Sequence, residues 1–462
     1  MGQYRFADRV KESTTTTGTG NVTLDGAVSN YSTFASRYAN GETFYYAIIH
    51  QSASEWEVGY GTFVSATPAV ARTKVISSTN SDAAVSFSSG TKHVFITVPS
   101  QAMGINGVVD PLKWQARISA AFDAAPATDV TAATTVYLMP YNGNRISLFN
   151  GSFWKEYTID GSTTTSLSGL IKGVTYDLFV KDTAGVPTFV AYAWKTVVAG
   201  NSPTAGSSKV INLSTTSDLS VGQRVTVKDG SNSEVAYITS LVTNTSITVD
   251  TLANSYTTPN VYGYRVREPG FGLVTQDGVW VSQSTGDKTE RYAGSITISA
   301  ATTGQTEDSN EKRLVYNAYN QIPRPMLRKE TTNTWVYSSS TIRQANNSRL
   351  NQLEFTNGLA GAGRVDVSAH GLMGTSTSTL RGGLVAVGDN SITQTSGVTG
   401  TAVCATSATG AGTGHTSVFP PTGFNFFAWL EAGAGTDTQT HYGDNNAPAD
   451  WIQSGIVGTW SC

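Results

Sequence analysis

The chain has 462 residues, of which 14% are charged and 39% hydrophobic, and its formal net charge is only -3. Because disorder requires low hydrophobicity with high net charge, this composition predicts a folded protein, and the length predicts about three folding units. So small a charge, without any lysine or arginine cluster, excludes long-range attraction to nucleic acid or anionic lipid.

The first predicted domain, residues 1–110, contains a threonine-rich stretch, ESTTTTGTGNVTLDG, at 12–26. Threonine is β-branched and favours extended backbone, whereas flexible spacers are rich in glycine and serine. We therefore predict a hairpin or extended arm that turns at residues 18–20; the alternative is a partly disordered N-terminal segment. The residues expected on its inner face are Val10, Thr14, Thr16, Val22 and Leu24.

Asn-Gly and Asp-Gly pairs recur between runs of β-branched and aromatic residues. Such pairs favour tight hairpin turns, because Asn, Asp and Gly accept positive φ at low cost. The fold class predicted is mainly β, with several antiparallel sandwich or jelly-roll-like and small-barrel domains in series and few short helices. The pairs begin at Asp25, Asn40, Asn106, Asn142, Asn150, Asp160, Asp229, Asp277 and Asn357.

Helix signals are few. The segment 111–125, PLKWQARISAAFDAA, starts with a proline suited to a first helical turn and places Leu112, Ile118 and Phe122 at helical spacing. It predicts a short helix within a linker at 111–128. The segment 309–320 fits a capped helix or a strand equally well.

The remaining domain boundaries follow from composition. A middle β domain is predicted at 129–200, and it resumes at 265–341. The small, polar linker VVAGNSPTAGSSK, at 197–209, spans the start of an inserted small β-barrel predicted at 201–264. Such linkers suit domain insertion. A C-terminal β domain is predicted at 342–462.

Catalytic and metal-binding patterns are weak. The five histidines lack the spacing of paired metal ligands, and GLAGAG at 358–363 lacks the strand and helix of a phosphate-binding loop. We therefore predict no enzyme, no catalytic residue, no metal and no cofactor. The histidines are His50, His93, His370, His415 and His441.

Two groups of carboxylates stand beside tryptophans, as glycoside hydrolysis would need. Glu55 and Glu57 flank Trp56, and Glu431 follows Trp429 by two residues. The simpler interpretation is structural: residues two apart in a strand share a face, so Glu55 and Glu57 are predicted on a solvated face opposite Trp56 and Val58.

The aromatic stretch FPPTGFNFFAWLEAG at 419–433 allows two interpretations. An exposed aromatic surface would bind sugars or a partner, whereas a strand that is apolar on both faces is usually buried on both, one of them against another subunit. Burial is the favoured interpretation. The residues predicted to form an interface or receptor contact are Phe424, Phe426, Phe427, Trp429 and Tyr442.

Cellular location is constrained by what the sequence lacks. The opening MGQYRFADRVKE has charges where a signal peptide needs an apolar region, so we predict no signal peptide there. No stretch reaches eighteen apolar residues, so membrane insertion is not predicted. Cys404 and Cys462 are expected to be two free thiols.

Several segments together resemble a group of tailed-bacteriophage virion proteins, described as tail-fibre or structural proteins. RVKESTTTTGTGNVTLDGAV, FASRYANGETFYYAI, SEWEVGYGTF and TKVISSTNSDAAVSFSSGTKHVFITVP carry the resemblance over most of residues 5–100. Later segments that resemble the group are DGVWVSQSTGDKTERYAGSI, GQTEDSNEKRLVYNAYNQIPRPM, FNFFAWLEAG, HYGDN and IQSGIVG. Residues 210–264 have no counterpart there.

The resemblance implies a non-enzymatic structural component of a phage tail or appendage. It implies a homo-oligomer, with a trimer expected, that contacts other virion proteins and a host surface glycan or protein. Such a protein would be assembled in the host cytoplasm, released by lysis and located in the virion. A head decoration protein or head fibre is the alternative. A glycan-degrading tailspike is less favoured, because long repeats of about 20 to 30 residues are absent.

Overall fold

The computed structural model describes residues 5–100, 103–104, 107–284, 289–405, 408–444 and 452–462. Strands account for 54% of the residues and helix for 1%, which confirms the predicted mainly β fold class. Within these ranges there is no α-helix, and Ala345–Asn347 forms a single 3-10 turn.

The chain forms two compact units. The first contains Met1–Lys113, Ser147–Tyr157 and Thr275–Val279, and the second contains Trp114–Ile146, Thr158–Val274 and Trp280–Cys462. Residues 147–157 and 275–279, which were assigned to the middle domain above, thus belong to the first unit. The finer division into five segments remains a prediction.

The first unit is built on a six-stranded antiparallel sheet with the order β1-β6-β3-β4-β5-β2. Its aromatic core includes the fully buried Phe34, Phe44 and Tyr46. The strands of its first segment are β1 (Lys11–Thr14), β2 (Val22–Thr23), β3 (Thr43–His50), β4 (Trp56–Val64), β5 (Ala69–Ser78), β6 (Lys92–Ile96), β7 (Met103–Gly104) and β8 (Gly107–Val108).

The threonine-rich stretch is an ordered, extended part of this sheet. Ser13 exchanges backbone hydrogen bonds with Asp25 and Gly26, while β1 pairs with β6 and β2 pairs with β5 at the opposite edge. The stretch therefore connects the two edges of the sheet instead of forming a free hairpin. The residues buried along it include Val10, Thr14, Val22 and Leu24, and Thr16 is half-buried.

Residues 111–128 do not form the predicted helix. They contain strand β9 (Ala116–Ser119), whose four residues are all buried and which pairs antiparallel with β11 (Thr135–Pro140). Leu112 and Phe122, expected on the apolar helix face, are 60% and 66% exposed. Sheet pairing therefore overrides the helical pattern, as tertiary contacts commonly do. The neighbouring strands are β10 (Val130–Ala133), β12 (Arg145–Phe149), β13 (Trp154–Thr158) and β14 (Thr164–Ser166).

The second unit continues with long antiparallel strands. Five of them, from residue 206 to residue 267, lie side by side in the order β17-β20-β19-β18-β21 and enclose a core in which Ile211, Val227 and Val261 are fully buried. The strands from 175 to 297 are β15 (Thr175–Thr183), β16 (Val186–Val198), β17 (Gly206–Asn212), β18 (Arg224–Asp229), β19 (Asn232–Val242), β20 (Ser246–Leu252), β21 (Asn260–Arg267), β22 (Leu273–Gln276), β23 (Val279–Ser282) and β24 (Arg291–Thr297). Residues 275–276 of β22 and Val279 of β23 belong to the first unit.

The C-terminal part, together with β10, forms a fourteen-stranded sheet around a core that includes Phe355, Phe427 and Trp460, whereas the strand at Val315–Asn317 pairs with β24 of the preceding sheet. The segment 309–320, left open above, forms strands. The elements are β25 (Thr306–Asp308), β26 (Lys312–Arg313), β27 (Val315–Asn317), β28 (Pro323–Lys329), β29 (Thr334–Val336), β30 (Arg343–Gln344), β31 (Gln352–Asn357), β32 (Val365–Thr375), β33 (Arg381–Asp389), β34 (Ser396–Cys404), β35 (Gly410–Val418), β36 (Gly423–Ala432), β37 (Gln439–Tyr442) and β38 (Gly455–Ser461).

The Asn-Gly and Asp-Gly pairs behave according to their context. Asn142-Gly143 and Asp277-Gly278 have positive φ at both residues, as a tight I′ turn requires. Asp229 instead stays in β18 opposite Asn232, so the turn begins at the following glycine. Asn357 ends a strand and is fully buried. The predicted turn at Asn106 lies outside the described residues.

Candidate functional site

The predicted aromatic contact residues lie on β36, which runs between β31 and β33. Phe427 stacks on Phe355 with ring centroids 5.6 Å apart, and Trp429 meets Trp335 edge to face at 5.9 Å. Phe426, on the other face, packs in a cluster with Ala386 and Leu430. Phe426, Phe427 and Trp429 are therefore enclosed by their own chain.

Phe424 and Tyr442 remain partly accessible. The guanidinium of Arg224 lies 3.5 Å from the ring centroid of Phe424, a close cation–π contact. Tyr442, on β37, pairs with Thr334 and Leu372 on the two neighbouring strands. Of the five predicted contact residues, these two retain surface that a partner can reach.

Glu431 belongs to a buried polar network, which explains its position near Trp429 without catalysis. Its Oε1 accepts hydrogen bonds from Arg343 Nε at 2.9 Å and the Asn346 backbone N–H at 3.1 Å, and its Oε2 accepts one from Trp335 Nε1 at 2.8 Å. His441 stacks on Trp335, with its Nδ1 3.4 Å from Glu431 Oε2. These contacts satisfy a carboxylate that is 1% exposed.

The His441 network predicts a pH dependence of stability. Burial lowers the pKa of His441 below its ordinary value of 6.5, against a smaller opposite effect of the Glu431 charge. The unfolded chain then binds more protons than the folded one, so the free energy of unfolding falls as pH drops below about 6.5. His441→Gln is expected to reduce this loss, measured as the unfolding temperature at about pH 7.5 and about pH 5.5.

His370→Gln is the matched control, because His370 is exposed and its Nδ1 contacts only Thr413 Oγ1 among the described hydrogen bonds. This control should keep the pH dependence of the wild type. An unchanged pH dependence in His441→Gln would contradict the assignment.

Glu57, on β4, lies on the face opposite to the one predicted, whereas Glu55, which precedes the strand, is partly exposed. Glu57 is fully buried, whereas Trp56 is 39% exposed. Glu57 accepts hydrogen bonds from Arg72 Nε at 2.7 Å, Tyr46 Oη at 2.8 Å and the Val85 backbone N–H at 3.0 Å. Trp56 and Glu57 point to opposite faces of the strand, as expected, but Glu57 lies on the inner face, where it forms an ion pair with Arg72. Glu55 accepts a bond from the Ser88 N–H.

The histidines do not converge on a metal site. His370 and His415 lie on the paired strands β32 and β35, and the Nδ1 of each is 3.0 Å from a neighbouring hydroxyl. His50 Nδ1 accepts hydrogen bonds from the Ser52 and Ala53 N–H groups. Among the described residues, no three His, Cys, Asp or Glu side chains are grouped to hold a metal ion. Cys404 and Cys462 are free and buried.

An exposed row of side chains crosses five adjacent strands of the C-terminal sheet, in the order β28-β38-β32-β35-β34. Direct register pairs join its members, which we call the outer row: Leu327, Val457, Ser368, His415 and Val398. Leu327, Val457 and Val398 are 38%, 40% and 69% exposed, whereas the adjacent Met326 and Ile456 are buried in the core. Sequence reasoning missed this row, because each member looks like an ordinary strand residue.

No protein-family model and no curated protein matches the chain. Among solved structures, one of the infectious bursal disease virus Gx strain aligns with a TM-score of 0.16 and 10% identity, over 72% of this chain and 70% of that chain. A family 43 arabinoxylan arabinofuranohydrolase from Bacillus subtilis aligns with a TM-score of 0.16 and 12% identity, over 92% and 84%. Such low TM-scores support no argument. No helix in the described ranges is long and apolar enough to cross a membrane.

Proposed function

We propose that this chain is a non-enzymatic structural subunit of a tailed-bacteriophage particle, present in several identical copies in the tail or a tail appendage. Two features support the proposal: the sequence resemblance over residues 5–100 and the chain of curled antiparallel sheets. A homotrimer is the expected state, assembled in the host cytoplasm and released by lysis.

The outer row is the observation that carries the multimeric part of the proposal. Three aliphatic side chains stand in register across five adjacent strands on one face of the fourteen-stranded sheet. Soluble proteins usually cover aligned apolar side chains on an open sheet face, often with another copy. We therefore assign this face, in place of the enclosed aromatics of β36, as the contact between copies.

Val457→Arg is expected to weaken assembly by at least about tenfold, since a charge within the outer row would be desolvated in the contact. Val457 is already 40% exposed, so the fold of a single chain should tolerate the change. The measurement is the molecular mass of the purified protein across a dilution series. Val186→Arg, at a valine that is 59% exposed on β16, is the control. A wild type that remains a single chain would contradict the contact, as would a Val457→Arg protein that assembles normally.

A head decoration protein or head fibre is the alternative location within the particle. A glycan-degrading tailspike belongs to a different functional class and predicts release of reducing ends from host polysaccharide. Of the three candidate carboxylates, Glu57 and Glu431 are engaged in buried networks, and Glu55 accepts a hydrogen bond from the Ser88 N–H near the surface. An assay of the purified protein on host polysaccharide distinguishes the tailspike from the structural subunit, since only the tailspike yields reducing ends.

A further inference from the structure

The second unit contains an open cavity of about 460 Å³ whose function is not explained by the proposed role. This volume lies within the range of roughly 300–1,000 Å³ typical of small-molecule sites. Apolar, aromatic and hydrogen-bonding groups meet in it. Its principal lining residues are Trp280, Arg267, Gln321, Tyr316, Leu273 and Leu359.

Trp280 gives the cavity an accessible aromatic surface. On β23 its neighbours Val279 and Val281 are each 1% exposed, so the alternation of the strand directs the indole outward, where it is 38% exposed. Most of the other described tryptophans are buried in cores. An aromatic ring face in a cavity binds the C–H face of a flat, partly apolar ligand.

Arg267 supplies a fixed hydrogen-bond donor. Its Nε lies 2.5 Å from Asp177 Oδ2, and its Nη2 donates to the Gly358 carbonyl at 2.7 Å. The rings of Trp194 and Tyr292 lie 4.8 and 5.4 Å from the guanidinium carbon, and among the described hydrogen bonds none is donated by the other terminal nitrogen, Nη1. Because Asp177 already balances the charge of the guanidinium, the cavity offers a donor without a net positive charge.

Gln321 supplies a fixed acceptor. Its Nε2 donates to Tyr316 Oη at 2.7 Å and to the Asn317 carbonyl at 2.9 Å, which sets the orientation of the amide. The amide oxygen Oε1 accepts no hydrogen bond from the described residues. A ligand hydroxyl can both donate and accept, so hydroxyls suit a wall with one available donor and one available acceptor.

The glycine-rich stretch GLAGAG forms another wall of the cavity, through residues 359–362. Gly361 has a φ of +73°, and the position of a Cβ there would have no atom within 4 Å. The small residues keep this side of the cavity open and leave the backbone accessible. GLAGAG, which lacks the strand and helix of a phosphate-binding loop, thus lines a cavity instead.

We propose that this cavity binds a neutral pyranoside, one ring of a saccharide chain, with its C–H face on Trp280 and its hydroxyls on Arg267 Nη1 and Gln321 Oε1. The cavity can hold such a ring, and the Arg267–Asp177 pair leaves no free charge to favour an acidic sugar. The assignment does not depend on a virion role: a protein that binds saccharide yet is absent from particles would leave it intact.

The test is binding of the intact, labelled protein to an array of neutral hexose and N-acetylhexosamine oligosaccharides, with uronic-acid oligosaccharides and aromatic peptides on the same array. The wild type should bind a subset of the neutral glycans. Trp280→Ala should weaken that binding by about tenfold or more, equivalent to ~1.4 kcal/mol. Trp280→Phe, which keeps an aromatic face, should retain most of it.

Two further variants separate binding from folding. Trp56→Ala removes a tryptophan of matching exposure, 39%, and should bind like the wild type. Ala360→Trp fills the cavity from an exposed position and should abolish binding with Trp280 still present. The proposal is overturned if no neutral glycan binds, if only uronic acids or peptides bind, or if Trp280→Ala and Ala360→Trp bind like the wild type.

Discussion

Glu57→Ala is expected to destabilise the first unit by ~3–5 kcal/mol, because it leaves the buried guanidinium of Arg72 with backbone carbonyls but no carboxylate among its described acceptors. The side chains of Glu57 and Arg72 are 0% and 3% exposed, so water cannot replace the lost contact. In the wild type, burial and, to a smaller extent, the charge of Glu57 raise the pKa of the Tyr46 hydroxyl, so this hydroxyl is a hydrogen-bond donor. The substitution removes the carboxylate oxygen that accepts its hydrogen bond. The expected readout is faster hydrogen exchange of the β3 and β4 amides, by about a hundredfold or more.

Glu55→Ala is the control for this experiment. Glu55 lies two residues away on the same side of the chain and accepts a hydrogen bond from the Ser88 N–H near the surface. Its removal should change exchange in β3 and β4 only slightly. If both variants exchange at the same rate, the buried ion pair does not stabilise the first unit as described.

Phe427→Ala is expected to lower the free energy of unfolding of the C-terminal sheet by ~3–5 kcal/mol, the usual cost of truncating a buried phenylalanine. Phe427 is fully buried and stacks on Phe355, so the change leaves a cavity inside the core. Calorimetric unfolding of the full chain gives the measurement. The mass of any assembly below the unfolding transition should be unchanged, since the side chain does not reach the surface.

Phe419→Ala is the matched control, because Phe419 belongs to the same aromatic stretch and is 69% exposed. Its unfolding transition should stay close to that of the wild type. The opposite result, in which Phe427→Ala unfolds normally but fails to assemble, would contradict the packing of β36 and restore an interface role for its aromatics.

Local signals were sufficient for the strands and several of their turns. Asp277-Gly278 forms the predicted turn because Asp and Gly accept positive φ at low cost. The helix predicted at 111–125 was wrong because the backbone conformation of this segment is set by a strand that is distant in sequence. Ile118 pairs with Leu138 in an antiparallel sheet. A periodic pattern indicates which residues can share a face. Whether the segment forms a helix or a strand depends on the availability of a pairing strand elsewhere in the chain.

The same limit applies to the sites. Period-two alternation placed Glu57 and Trp56 on opposite faces correctly, but it could not identify the inner face, because the deciding residue, Arg72, lies on the next strand. The saccharide cavity joins Trp280, Gln321 and residues 359–362, three segments that become neighbours only in the folded chain. Composition and residue spacing do not indicate which distant segments come together in the fold.

Electron microscopy of purified phage particles labelled with a gold-conjugated antibody against this chain tests the central proposal most directly. We expect several gold particles per virion, located on the tail or its appendages and absent from particles that lack the gene. Label on the head would contradict the tail assignment in favour of a decoration protein. Particles without any label would contradict a virion role altogether.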